Sequence, residues 1–62
     1  MYKNILAEIA RKGLKRSEVA RILNMSEHTL RSKIQGTKDF RQSEITTLLS
    51  LFGTTYEYLF EV

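Results

Sequence analysis

Apolar residues recur at helical spacing along almost the whole chain, and polar or glycine-bearing breaks divide that pattern into five short segments. Ile5, Leu6, Ile9 and Ala10 predict a first helix over residues 2–12, closed by Gly13, after which Leu14 returns to the core. Val19, Ala20, Ile22 and Leu23 predict a second helix over 16–23. Asn24 can take the left-handed geometry that closes a helix without glycine, and Ser26 can cap a third helix over 27–35. That third helix has only Leu30 and Ile34 to bury, so most of its circumference is left free. Gly36 ends it, and the segment from Gly36 to Phe40 reads as a polar loop with one aromatic plug.

Ile45, Leu48, Leu49 and Phe52 then fall at i, i+3, i+4 and i+7 and predict the main core helix over 42–52. Gly53 stops it. Thr54 or Thr55 can cap a last short helix with Glu57 in its first turn and Leu59 and Phe60 as apolar contacts. No period-two alternation competes, so the expected fold class is all-α, a compact bundle of about five short helices.

At 62 residues and 42% hydrophobic content the chain can form one small core, which makes residues 1–62 a single module. It contains no proline and three glycines, and neither a repeat nor a low-complexity tract marks a linker. The absence of cysteine excludes a disulfide framework and thiolate metal sites, and it fits a reducing cytoplasm. No apolar run approaches a membrane span, and Glu8 interrupts the N-terminal apolar pattern where a signal peptide would have none. The expectation is a soluble, unprocessed cytoplasmic protein.

The net charge of +3 is modest, but its distribution is uneven. From Arg11 to Arg41 nine basic residues face three acidic ones, a local +6, whereas the remainder sums to −3. A basic middle with acidic flanks reads as one face meant for a polyanion, or as an uneven solvated surface.

Two short amphipathic helices joined by a tight polar turn, over RSEVARILNMSEHTLRSKIQ (Arg16 to Gln35), follow the grammar of a helix-turn-helix. With Leu30 and Ile34 inward, His28 and Ser32 fall on the opposite side of the third helix, flanked by Thr29 and Gln35. Glu27 can accept from a cytosine amino group, stabilise the helix N-terminus, or pair with Arg31 four residues on. Arg31 can fork onto guanine or answer Glu27. His28 has no second histidine, cysteine or carboxylate pair at ligand spacing, which argues against a metal site; it reads as a base or phosphate contact, or as an uninvolved surface residue. Lys15, Arg16, Lys33, Lys38 and Arg41 are assigned to phosphates. The serines have no positioned base and no phosphate-cradling glycine loop exists, so an enzyme is the weakest option, and no cofactor or small-molecule ligand is expected.

The order Gly13-Leu14, Glu18-Val19-Ala20, Met25-Ser26, Thr29-Leu30, Gly36 and Tyr58-Leu59-Phe60 resembles the phage repressor and Cro family, the xenobiotic-response-element-type regulators. The likeness covers nearly the whole chain and is nearest to small phage regulators of Gram-positive bacteria in TLRSKIQGTKDF and SEITTLLSLFGTTYEYLF. It implies a lambda-repressor-like DNA-binding domain with base contacts at Glu27, His28 and Ser32. Thr29 and Arg31 complete the candidate base-contact set. The chain departs from the family at two helix starts. Glu18 and Glu44 are kept as the third residues of capping boxes, but Lys15 and Arg41 stand where Ser or Thr would cap. A phosphate at each helix start would turn that unfavourable cation into a favourable one; otherwise Ser17 or Ser43 caps a helix that begins later.

Sequence and resemblance together imply a sequence-specific regulator of transcription, a phage or prophage repressor or Cro-like protein that occupies a double-stranded DNA operator as a homodimer. Tyr56, Tyr58, Phe60 and Val62 are the residues with surface available for pairing, or they belong to the core. The alternative, from a different class, is a small helical protein-interaction module of antirepressor or antitoxin type.

Overall fold

Five helix stops decide the architecture, and the second shows how local chemistry does it. Asn24 has a positive φ of 58°, a conformation that asparagine tolerates better than other non-glycine residues. The Met25 amide then donates back to the Ala20 carbonyl at 2.9 Å and the Asn24 amide to the Arg21 carbonyl at 3.0 Å, a Schellman ending that satisfies the last carbonyls. Two residues later the Ser26 hydroxyl accepts from the Thr29 amide at 3.1 Å and caps the next helix. Gly36, at φ 90°, ends that helix the same way, with the Thr37 amide on the Ser32 carbonyl at 3.0 Å.

The computed structural model describes residues 1–61. In chain order it contains α1 (Lys3–Arg11), α2 (Arg16–Ile22), α3 (Glu27–Gln35), α4 (Gln42–Phe52) and α5 (Tyr56–Phe60), with no strand among the described residues. The fold is all-α and compact, with extents of 24 × 24 × 19 Å. None of these helices is long and apolar enough to cross a membrane. The third and fourth helices match their expected bounds residue for residue. The first is shorter than expected by one residue at each end and the second by one residue at its C-terminal end.

Every helix contributes to one core: Ile5 and Ile9 from α1, Val19 and Ala20 from α2, Leu30 and Ile34 from α3, Leu48 and Phe52 from α4, Leu59 from α5. Leu23, at the C-cap of α2, joins them. Tyr2, Phe40 and Phe60 close one end, their rings meeting at centroid distances of 5.1 to 6.3 Å. The aromatic plug expected at Phe40 is therefore filled by contacts from the N-terminal segment and α5.

Three expectations about burial are corrected. Ile22 is 47% exposed, because Val19, Ala20 and Leu23 set the buried side of α2 and Ile22 lies roughly 100° away from its centre. In α4, Leu48 and Phe52 are fully buried while Ile45 and Leu49 are only half-buried. In α1, Ala10 is exposed and Glu8 takes an inward place at 4% exposure.

Glu8 can be buried because its carboxylate is fully partnered. Arg11 donates to it through Nη2 at 2.7 Å and through Nε, and the Tyr58 hydroxyl donates to Oε2 at 3.1 Å. The Arg11 hydrogen bond holds the Glu8 carboxyl below its ordinary pKa against the opposing effect of burial, and Tyr58 adds to that lowering. Burial and the bond to Glu8 push the Tyr58 phenol up. Asn4 Nδ2 donates to the Tyr58 carbonyl at 2.7 Å, so this polar group fastens α1 to α5. Tyr56 and Tyr58 keep 42% and 39% of their surface, Phe60 is half-buried, and Val62 lies outside the described residues.

Candidate nucleic-acid interface

With the core settled, the free side of α3 follows. Leu30 and Ile34 face inward as expected, and Lys33 is buried beside them. At about 100° per residue, the addition of Lys33 widens the buried arc and leaves Glu27, Arg31, Gln35, His28 and Ser32 in that order around the other side. The first four are exposed and Ser32 is half-buried. Thr29 falls outside this arc: it is half-buried and its Oγ1 accepts from the Ser26 hydroxyl at 3.0 Å. Of the two residues expected to flank His28 and Ser32, Gln35 is the exposed one and lies beside His28 on the free side.

Arg16, the first residue of α2, is brought against this face. A cleft of about 220 Å³ is lined by Arg16, Glu27, His28 and Arg31. Beside it a second cleft of about 210 Å³ is lined in part by Arg16, Arg31 and Gln35. Arg16 and Arg31 therefore border both hollows.

Among the described residues the ion pairs are Arg11–Glu8 and Lys33–Glu44. The i, i+4 pairing of Glu27 with Arg31 is not made, so the guanidiniums of Arg16 and Arg31 stand without a carboxylate within ion-pairing distance. Two cations held close together in water, with no partner, add nothing to folding. Their forked donors suit guanine edges and phosphates.

Lys33 is a correction. Its Nζ lies 2.6 Å from Glu44 Oε1 and the two side chains are 9% and 13% exposed. The ammonium is committed to α4 and is withdrawn from the phosphate-contacting set. Hydropathy reads any lysine as solvent-facing, and its partner stands 11 residues further on, outside the reach of any local pattern.

Lys15 and Arg41 do occupy the N-caps of α2 and α4, so the helices do not start later at Ser17 or Ser43. Neither side chain has an acceptor, and only the reciprocal half of each capping box forms. Glu18 accepts the Lys15 amide at 2.8 Å and Glu44 accepts the Arg41 amide at 2.9 Å. Burial would raise the Glu44 pKa, but the Lys33 hydrogen bond and the Arg41 amide outweigh it and the carboxyl lies below its ordinary value. Lys15, Lys38 and Arg41 are exposed.

Compared with family models, curated proteins and solved structures, the chain has no match in any of the three.

Proposed function

We propose that this protein is a sequence-specific double-stranded DNA-binding regulator of the repressor and Cro kind, with α2 and α3 acting as a helix-turn-helix. The observation that carries this reading is the group of unpaired polar side chains on the free face of α3, where Glu27, Arg31, Gln35, His28 and Ser32 lie together with Arg16 alongside. A helix with a narrow apolar stripe and an uncommitted polar face suits the major groove, where Arg reads guanine and Gln reads adenine. Lys15, Lys38 and Arg41 would hold phosphates, which orient the module without reading sequence. One module of this size makes few contacts, so two copies on two half-sites, acting in the cytoplasm, complete the proposal.

Selection of bound duplexes from a random pool tests it. A two-fold symmetric consensus is the expected result, with affinity falling steeply and linearly on a logarithmic salt scale. Failure to enrich any duplex, together with a shallow salt dependence, would turn the reading toward a protein-interaction module.

A further inference from the structure

The buried pair between α3 and α4 has an unusual economy. One carboxylate oxygen, Glu44 Oε1, accepts from the Lys33 ammonium at 2.6 Å and from the Arg41 backbone amide at 2.9 Å. Lys33 belongs to the helix whose free face carries His28, Arg31 and Ser32, and Arg41 begins α4. A largely dehydrated ion pair contributes little net stability over an apolar contact of the same size, since desolvation offsets most of the attraction. What it supplies is geometry. Apolar side chains tolerate sliding, whereas an ammonium and an amide sharing one oxygen tie α3 to the start of α4 through a single atom and narrow the range of positions it can take.

We infer that Lys33 and Glu44 are positioning residues for DNA discrimination, holding the base-facing side of α3 in fixed register with Arg41 so that base and phosphate contacts meet one duplex together. The inference rests on the DNA-binding reading above. Phosphate contacts come from long side chains and tolerate a small shift of α3, but base-edge hydrogen bonds do not. Loss of the pair therefore acts on discrimination before it acts on general affinity.

The test uses the full chain carrying Lys33→Met together with Glu44→Gln, which leaves neither charge buried alone and keeps an acceptor for the Arg41 amide, and separately Glu44→Gln by itself. Affinity is measured for the duplex selected by the parent and for a scrambled duplex, with helicity and melting followed by circular dichroism. The expected result is folded variants whose specific-to-scrambled ratio falls by about tenfold, the scale of one mismatched base pair, while scrambled-duplex affinity and salt slope stay near the parent's. Simple destabilisation would lower both affinities alike. A parental ratio in both folded variants overturns the positioning role alone, and unfolding of both assigns the pair to stability and overturns it too. A parent that enriches no duplex removes the DNA reading and this inference with it.

Discussion

Glu8 at the α1–α5 contact is met by a guanidinium and a phenol, and Lys33 at the α3–α4 contact by a carboxylate. On the free face of α3 the opposite holds: Glu27, His28 and Arg31 share a hollow with Arg16 and form no ion pair among the described residues. The two regions differ in what they owe to folding. A charge near the core must be partnered, because desolvation without compensation costs several kcal/mol. A charge in water carries no such obligation, so the unpaired Arg16 and Arg31 owe nothing to folding. Charge content alone does not show which charged residues hold the fold here; partnership does.

The largest effect should come from the shared core beneath both regions. Phe52→Ala empties a site that is 1% exposed, and a loss of about 3–5 kcal/mol is expected. Thermal melting reads this, at about 4–8 °C per kcal/mol for a domain of this size. A drop of only a few degrees would mean that α4 does not hold the centre of the bundle.

Arg31→Ala should leave melting almost unchanged and weaken binding to the selected duplex by about 1–3 kcal/mol, relaxing preference at one position of each half-site. Equal losses on all duplexes would move Arg31 to the phosphate-holding residues and blur the comparison.

Acid should act on the partnered region and spare the free one. Glu8 and Glu44 both titrate below their ordinary values when folded, so the folded form binds fewer protons than the unfolded chain between the two. Their contribution is fully present above the ordinary carboxylate range, near about 4.3, and is lost as pH falls through the lower folded values. Melting temperature should decline over that acidic window, and the decline should flatten in the Glu8→Gln, Glu44→Gln double variant. A parent whose melting temperature is constant down to the lower folded values contradicts the partnered state of these carboxylates.

The smallest effect belongs to Ile22→Ala. Although isoleucine is the most core-like residue by hydropathy, this one is 47% exposed, and a change within about 0.5 kcal/mol is expected. A loss several times larger, measured by the same melts, would return Ile22 to the core and shift the buried side of α2.

Helix boundaries were legible because they are local chemistry. Asn24, Ser26, Gly36 and Thr55 act on backbone groups a few residues away, and each stands where the chain turns. Arg41 was legible as a cap position for the same reason, and the Glu three residues on accepts its amide. The candidate interface was half legible. His28 and Ser32 follow from the wheel once Leu30 and Ile34 are inward, but the membership of Thr29 and Gln35 turned on how far the buried arc extends.

The sequence by itself determined the five helices, their stops and most of the apolar core, since periodicity and capping depend on neighbours within a turn or two. Only the tertiary structure decided which charges were partnered. Glu8 is met by Arg11 one turn along its own helix and by Tyr58 from 50 residues away, and Lys33 by Glu44 11 residues on. Arg31 stays uncommitted even though Glu27 stands at the right spacing. Pairing depends on which side chains the packing brings within a few ångströms and on how much water is removed around them, and neither quantity is written in the order of residues along one helix.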